Sequence, residues 1–322
     1  MEEIQKINTL NLEDAPRGEI SRYWLHIVSD GIGQPLYIPI IIARGIMEGP
    51  VVGLVAAIHG NEINGIPVIQ KIFQNIDVSK LQGTVVGVPV LNIPGFLNCE
   101  RRFNDKVDLN HKMPGRRGGN RSDIYAYRIM ERIVKHFQYL VDLHTASFGR
   151  VNSYYVRADL DNPLTKKMAE LQNADIILNT KGAEGTLRRS ASALGIASIT
   201  LELRDPHLFQ KDVIHESYVG IVNLLNHLKM LQGEIILAEN PPVICENSYW
   251  VYTEHGGILN TLPQLGEIVE EGKKIALVRN IFGDIIAEYT APEKGIVIGK
   301  GVNPVNQTGS RIIHLGVIKK DL

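Results

Sequence analysis

The sequence predicts an α/β domain, with a mixed and mostly parallel sheet flanked by helices, followed by a small all-β domain. Continuous apolar runs such as GPVVGLVAAI (49–58) and TVVGVPVLN (84–92) are typical of strands that are buried on both faces. Segments with apolar residues at helical spacing alternate with these runs, which indicates crossover connections between parallel strands. After about Gly233 the helical pattern stops, and short β-rich runs are separated by turns such as HGG, LGE and EEGKK.

The first domain is predicted to span residues 1–232. A polar lead-in is followed by two strand-like runs, RYWLHIVSDG and PLYIPIIIARG, and a helix follows the first buried strand. Residues 93–121 form a long polar stretch, and a loop of this length inside a compact domain is usually functional or disordered. A helix over 122–137 is expected to have Ser122 or Asp123 as its cap. Later strands are expected in YLVDLH (139–144), SYYVRA, ADIIL and ASITLEL, with helices at 163–173, 186–194 and 212–231.

Residues 233–322 are predicted to form the all-β domain, whose pattern resembles the barrel-sandwich hybrid fold of biotinyl and lipoyl carriers. Such carriers need a lysine at a hairpin tip, whereas the corresponding tip here, residues 280–284, reads NIFGD and has no lysine. We therefore expect this domain to share the shape without acting as a carrier, and to cover the cleft of the first domain or to mediate assembly.

The composition argues against several classes of function. The formal net charge of -1 gives no electrostatic reason to expect binding to nucleic acid or to an acidic membrane surface. No run approaches the roughly 18 apolar residues of a membrane span, and the polar, acidic N-terminus lacks a signal-peptide pattern. Cys99 and Cys245 form neither a CxxC pair nor a disulfide framework, which favours a reducing compartment. We therefore expect a cytoplasmic protein with no nucleic-acid or membrane partner.

His59, Glu62 and His144 form a candidate metal site. His59 and Glu62 lie where a buried strand turns into a helix, and their i, i+3 spacing lets both side chains converge on one point. His144 ends the predicted strand YLVDLH, and ligands bind at the carboxyl ends of strands in open α/β sheets. Two histidines and one glutamate leave a fourth position open for water, which is the ligand set of a catalytic zinc site. An HxxE pair alone occurs often by chance, and a strand-end histidine is commonly a polar surface residue.

A hydrolase of this kind also needs a general base, and Glu202 in ASITLELRD is the best candidate. The alternative is a solvent-facing glutamate on an edge strand, which periodicity alone favours. The loop 101–115, RRFNDKVDLNHKMPG, crowds charged residues between Gly and Pro, and its arginines can polarise a scissile carbonyl or clamp a carboxylate. Three further arginines are expected to be solvated: Arg116, Arg117 and Arg121.

Together these motifs resemble the succinylglutamate desuccinylase/aspartoacylase family, a branch of the zinc carboxypeptidases. The family pattern is H-G-N-E, then R-[YF] followed shortly by D-L-N-R, then D-L-H, and then a strand that bears E. The matching residues lie in this order over about residues 50–205: His59-Gly60-Asn61-Glu62, Arg102-Phe103, Asp108-Leu109-Asn110, Asp142-Leu143-His144 and Glu202. Many family members also carry a β-rich C-terminal domain.

The resemblance implies that His59, Glu62 and His144 bind zinc. It also implies that Glu202 takes a proton from the hydrolytic water and passes it to the leaving nitrogen.

The loop residues receive their roles from the same resemblance. Arg102 would stabilise the developing oxyanion, although Arg101 competes because the spacing to Asp-Leu-Asn is one residue longer than in some relatives. Asn110 would help to hold a substrate carboxylate, and Asp108 would orient His59 through the other ring nitrogen.

Two departures from the family pattern concern substrate recognition. His111 replaces the arginine of D-L-N-R, and a histidine cannot make the same charged fork to a carboxylate. Either the protein recognises its substrate differently from its relatives, or Arg188 or Arg189 binds the substrate carboxylate in place of the missing arginine. Many relatives have E-x-G at the catalytic glutamate, whereas Arg204 stands at the third position here. Arg204 is either a substitute anion clamp or a surface residue at the end of the strand.

The resemblance implies a zinc-dependent hydrolase that cleaves the amide bond of an N-acyl amino acid or removes a C-terminal residue such as glutamate. One alternative is carboxypeptidase-type trimming of glutamate tails on a protein. Another is a non-catalytic, metal-containing binding protein with an altered cleft. Relatives contribute a tyrosine from the C-terminal region, for which the candidates are Tyr289, Tyr249 and Tyr252. A homo-oligomer is compatible with all three interpretations.

Overall fold

The structure, a computed structural model, describes residues 4–319 and confirms the predicted α/β architecture with an all-β C-terminal part. The strands of the first part are β1 (Gln5–Ile7), β2 (Glu19–Ser29), β3 (Pro35–Arg44), β4 (Met47–Ala56), β5 (Gln82–Val88), β6 (Tyr139–His144), β7 (Arg150–Asn152), β8 (Tyr154–Ala158), β9 (Ile176–Asn179) and β10 (Ala197–Leu203). The helices are α1 (Gly65–Asn75), α2 (Ile93–Leu97), α3 (Arg121–Arg132), α4 (Pro163–Glu170), α5 (Leu187–Ala193) and α6 (Lys211–His227).

The C-terminal part contains only strands among its described residues. They are β11 (Val243–Tyr252), β12 (Gly257–Thr261), β13 (Ile268–Val269), β14 (Lys274–Arg279), β15 (Ile285–Thr290), β16 (Gly295–Gly301), β17 (Val305–Asn306) and β18 (Arg311–Ile318). Four of them form a separate sheet in the order β15-β14-β12-β17. The change from helix-containing to all-β structure therefore falls where the sequence predicts it.

The main sheet is mixed and runs through both parts of the chain in the order β1-β2-β3-β5-β4-β6-β10-β8-β9-β11-β18-β16-β13. Its centre is parallel, because β4 pairs in parallel with β5 and β6, and β6 pairs in parallel with β10. The C-terminal part joins this sheet twice, since β11 pairs in parallel with β9 and β16 pairs antiparallel with β7. We propose the division into domains at residues 232 and 233, in the connection between α6 and β11.

Apolar residues cover both faces of the central strands, which explains their continuous apolar runs. Within β4, Leu54 and Ala56 pack in one hydrophobic cluster, while Val55 points to the opposite face and packs in another. The helices α1, α4 and α6 cover the first face, and α3 and α5 cover the second. No described helix combines the length and the apolar character that a membrane crossing requires.

Several element boundaries differ from the prediction, and α4 and α6 end three to four residues earlier than expected. The helix expected over 122–137 is α3 followed by a separate 3-10 turn, Val134–His136, and its cap is Asn120 instead of Ser122 or Asp123. The Asn120 side chain accepts a hydrogen bond from the Asp123 backbone N–H, and the Asp123 carboxylate accepts one from the Asn120 backbone, so the two residues form a capping box. The polar stretch 93–121 is mostly irregular, as expected, but it contains α2.

Candidate metal centre and active-site cavity

The turn between β4 and α1 brings His59 and Glu62 to the carboxyl edge of the sheet. Both side chains are buried, with residue exposures of 2% and 1%. Gly60 is required in this turn, because a Cβ atom at its position would lie 2.0 Å from the carbonyl carbon of Gly95. The motif HGNE therefore combines two polar ligands with a close backbone approach that only glycine permits.

His144 completes a cluster with these two residues, because β6, whose last residue it is, lies next to β4 in the sheet. The Nδ1 atoms of His59 and His144 each lie 3.0 Å from a carboxylate oxygen of Glu62. One ligand atom from each of the three residues lies within 4.8 Å of the other two. The expectation that these side chains converge is therefore confirmed.

Two aspartates orient the imidazole rings from behind. Asp108 Oδ1 lies 3.0 Å from Nε2 of His59, and Asp142 Oδ2 lies 2.9 Å from Nε2 of His144. A carboxylate that accepts the Nε2–H of an imidazole leaves the lone pair of Nδ1 available. Both Nδ1 atoms face Glu62. The tautomers that the aspartates favour therefore direct two nitrogen lone pairs toward one point, where a metal ion can bind.

The donor set fits a divalent cation. Nδ1 of His59 is buried and, although Oε1 of Glu62 lies 3.0 Å away, it makes no hydrogen bond within the described residues, which is expected of an atom that binds a metal. Burial alone would lower the pKa of His144, but Asp142 and Glu62 outweigh it and raise this pKa well above its usual range. Burial would likewise raise the pKa of Glu62, but the two imidazoles hold it well below its usual range. The cluster therefore stabilises an additional positive charge.

Arg101 is the arginine that reaches this cluster. Its Nη1 lies 2.7 Å from Oε1 of Glu62, and its Nε donates to Oδ2 of Asp108 at 3.0 Å. The Ser147 hydroxyl, which also contacts Arg101, donates to Oε1 of Glu62 at 2.7 Å. Burial would raise the pKa of Asp108, but His59 and Arg101 outweigh it and lower this pKa.

The preference for Arg102 over Arg101 as the catalytic arginine is therefore corrected. The Arg102 side chain is exposed and lines only a neighbouring cavity, whereas Arg101 lines both that cavity and the cavity of the cluster. The two neighbours point in different directions because the loop backbone that carries them is irregular.

Glu202 lies beside the His59–Glu62–His144 cluster, one strand away from His144. Its strand, β10, is held between β6 and β8, so the alternative of an edge strand is wrong. Glu202 is paired with His144 in the register of β10 and β6. Its carboxylate accepts hydrogen bonds from Nε of Arg157 at 3.0 Å and from Nδ2 of Asn152 at 3.3 Å.

The cluster and Glu202 line one cavity of about 380 Å³, together with Asn110 and His111. The Asn110 side chain is partly engaged, because its Oδ1 accepts the backbone N–H of Leu187 at the start of α5 at 2.8 Å. His111 is exposed at the cavity wall. Both loop residues are therefore near the candidate site, as the sequence predicts.

Arg204 does not line this cavity, so of its two alternatives, an anion clamp or a residue at the end of the strand, the structure favours the second. It has a positive φ of 57°, and its side chain forms ion pairs with Asp212 and, at 3.5 Å, with Glu216 of α6.

Arg188, unlike Arg204, lines the cavity. It is buried, its Nη1 donates to the carbonyl of Thr180 at 2.7 Å, and burial together with Arg157 lowers its pKa to about 10. The neighbouring Arg189 is exposed.

The C-terminal part lines the cavity with Trp250 and His314, which the sequence did not single out. None of the three candidate tyrosines lines it. The hydroxyl of Tyr289 accepts the backbone N–H of Glu254, and that of Tyr249 donates to Glu293. Two residues of the C-terminal part therefore line the cleft, and neither is one of the three candidate tyrosines.

His314 is held neutral in this wall. Its ring stacks on Trp250 with ring centroids 5.1 Å apart and an interplanar angle of 12°. Burial, together with the nearby charges of Arg157, Arg150 and Arg311, lowers its pKa to about 3. The cavity therefore has a strongly cationic wall that does not depend on histidine protonation.

The fold and the site define a class of protein: an α/β protein with a His-Glu-His cluster and a neighbouring glutamate at the carboxyl edge of the sheet, as in metal-dependent hydrolases. Residues 48–228 match the family described as the succinylglutamate desuccinylase/aspartoacylase catalytic domain. The match spans more than half of the chain, and the protein belongs to this family.

Individual relatives are similar over most of their length. An N-alpha-acetyl-L-2,4-diaminobutyric acid deacetylase of Halomonas elongata is 26% identical over 276 residues, which cover 81% of this chain and 79% of the relative. A succinylglutamate desuccinylase of a Silicibacter species has a TM-score of 0.84 at 23% identity, covering 95% of this chain and 97% of the other. The ectoine utilization protein EutE (DoeB) of Ruegeria pomeroyi, solved with product bound, has a TM-score of 0.85 at 21% identity, covering 94% and 97%. These two structures show that the fold is shared.

Proposed function

We propose that this protein is a zinc-dependent amidohydrolase that cleaves an N-acyl amino acid through an activated water. The observation that carries the proposal is the convergence of the His59–Glu62–His144 cluster and Glu202 on one cavity. Glutamate is a suitable general base within reach of such a cluster. Membership of a family whose named relatives include a deacetylase and desuccinylases supports the reaction class.

Zinc held by His59, Glu62 and His144 would supply Lewis-acid chemistry, which polarises the scissile carbonyl and lowers the pKa of the hydrolytic water. Glu202 accepts a proton from that water as its oxygen bonds to the carbonyl carbon. As the C–N bond breaks, Glu202 passes the proton to the leaving nitrogen, and the products are a carboxylate and an amine. Arg101, at the same cavity, takes the oxyanion-stabilising role that the resemblance suggested for Arg102.

Substrate recognition is proposed to rest on Arg188, which takes the place of the arginine missing at His111. Arg188 is buried at the cavity wall and has no carboxylate within 4 Å among the described residues, so its guanidinium is available to a substrate carboxylate. Asn110 and His111 line the same cavity and complete this wall.

We also propose a cytoplasmic location, which the two free cysteines, Cys99 and Cys245, support.

The test is a hydrolysis screen of the zinc-loaded protein with N-acetyl and N-succinyl amino acids and with glutamate-terminated peptides. Glu202→Gln should lower kcat at least about a thousandfold on any active substrate, since it removes the proton acceptor. Its zinc content should stay near one per chain. The control Glu288→Gln, in an exposed ion pair of the second sheet, should leave kcat unchanged. Absence of hydrolysis across the panel, or full activity of Glu202→Gln, would contradict the proposal.

A second candidate function, the trimming of glutamate tails, is favoured by one observation. Arg150 lines the catalytic cavity and also two neighbouring cavities of about 480 and 340 Å³, and Phe148 lines both of these. A chain longer than an N-acyl amino acid would have room to extend past Arg150. Glutamate peptides of increasing length discriminate the two functions, because tail trimming requires kcat/KM to rise with length and to fall in Arg150→Ala.

A further inference from the structure

A second cavity of about 450 Å³ lies away from the candidate active site and shares no lining residue with it. It is formed by α3, the loop before it, the 3-10 turn that follows it, and the N-terminal residues Thr9 and Leu10. We call it the α3 cavity. Four of its lining side chains are permanent cations and one is a carboxylate, Glu131, so it is strongly positive on a chain whose net charge is -1. The cations are Arg117, Arg128, Arg132 and Lys135.

Arg128 and Arg132, one helical turn apart on α3, are fixed by backbone carbonyls. Nη1 of Arg128 donates to the carbonyl of Ile27 at 2.6 Å, and Nη1 of Arg132 donates to that of His26 at 2.7 Å. These carbonyls lie at an irregularity in the pairing of β2 and β3, between His26 and Val28. Each bond uses one N–H of a planar group that has five, so most of each guanidinium fork stays available.

The cations of the α3 cavity lack a matching number of anions. Within residues 4–319, neither Arg128 nor Arg132 has a carboxylate within 4 Å, and Glu131 is paired at 3.5 Å with Lys135. Partial burial and, to a lesser degree, the charge of Arg128 lower the pKa of Arg132. Like charges in a partly desolvated cavity are unfavourable unless an anion accompanies them.

We propose that the α3 cavity binds a small phosphorylated molecule that carries two or more negative charges. Arginine forks match the geometry of phosphate oxygens, and several cations around one cavity favour a multiply charged group over a single carboxylate. Tyr127 also lines the cavity, and its aromatic ring is suited to contact a ring attached to the phosphate. The volume admits a ligand larger than inorganic phosphate.

The test is calorimetric titration of the full chain with inorganic phosphate, pyrophosphate and ADP at constant ionic strength. Binding of pyrophosphate or ADP at one site per chain is expected, with ADP tighter if the ring is recognised. Arg117→Gln combined with Lys135→Gln should raise Kd about tenfold, since it removes two charges that hold no backbone carbonyl. This variant is preferable to changes at Arg128 or Arg132, which also support β2.

The matched control is Arg22→Gln combined with Arg121→Gln, which removes the same charge from exposed positions outside the cavity and should change Kd less than about twofold. The proposal is overturned by the absence of binding of all three probes. Equal losses in both double variants would indicate a general charge effect and would also overturn it. So would unchanged affinity in Arg117→Gln/Lys135→Gln, because the anion would then bind elsewhere, such as in the catalytic cavity.

Discussion

Nε of Arg157 lies 3.0 Å from Oε1 of Glu202, and the two side chains come from adjacent antiparallel strands, β8 and β10. Nη2 of the same arginine donates to the hydroxyl of Tyr155 at 2.5 Å, which fixes the guanidinium from its other side. The proposed base is therefore held by a charged partner that is itself held in place. Arg157 is a positioning residue for Glu202.

Arg157→Gln should lower kcat about ten- to a hundredfold, because it removes a charge-assisted hydrogen bond to Glu202. KM should change much less, and Arg157→Lys should recover part of kcat. Steady-state kinetics over a pH series measures both effects. Arg189→Gln serves as the control, since that arginine is exposed and outside the cavity. If Arg157→Gln instead raised KM about ten- to a hundredfold and left kcat unchanged, Arg157 would be assigned to substrate binding.

Arg101→Gln and Arg102→Gln should have very different effects on kcat/KM, although the two residues are adjacent in sequence. Arg101 contacts Glu62 and Asp108 at the cluster, so its loss should lower kcat/KM about a hundredfold or more. Arg102 is exposed in another cavity, and its loss should change kcat/KM less than about threefold. Parallel measurement of activity and zinc content checks this prediction. A larger effect at Arg102 would show that the loop rearranges when substrate binds.

Removal of metal by a chelator should abolish hydrolysis and lower the melting temperature. His59, Glu62 and His144 leave a buried cluster that stabilises positive charge, so a bound cation contributes about 4 kcal/mol when free zinc exceeds Kd a thousandfold. Differential scanning calorimetry with and without zinc measures this contribution. In His59→Ala the melting temperature should no longer respond to zinc, and a persistent response would place the metal elsewhere.

The contribution of His314 to stability should decrease as the pH falls from about 7 towards 5. The folded-state pKa of this residue is about 3, below the roughly 6.5 of an unfolded histidine, so the unfolded chain binds a proton that the folded chain does not. The contribution of His314 to stability is fully present above the unfolded pKa. Below that pKa it is lost by up to about 1.4 kcal/mol per pH unit. Unfolding of His314→Gln by urea at pH 7 and pH 5 should show a smaller difference than unfolding of the parent protein.

The sequence predicted the positions of His59, Glu62, His144 and Glu202 at one edge of the sheet, because each lies at a strand end or turn with a clear apolar pattern before it. The side-chain direction of Arg101 could not be predicted, since neighbouring residues in an irregular loop have no periodicity to separate them. The same holds for Arg204, whose left-handed backbone turns it away.

Long-range pairing explains the residues that the sequence analysis missed. Trp250 and His314 reach the cavity because β11 and β18 extend the main sheet, and no local pattern encodes that contact. Arg157 was missed for the same reason. The register that places Arg157 opposite Thr200 and Tyr155 opposite Glu202 becomes known only once β8 and β10 are seen to pair.

The C-terminal domain pairs with the first domain at two places, β9 with β11 and β7 with β16. It is therefore a structural part of the main sheet and cannot be removed without exposing strand edges. Without it, the backbone groups of Ile176–Asn179 would become an open sheet edge that invites aggregation. Arg150 and Asn152 would also lose the strand that holds them beside the cavity. Truncations or fusions that treat this domain as separable should therefore lose activity.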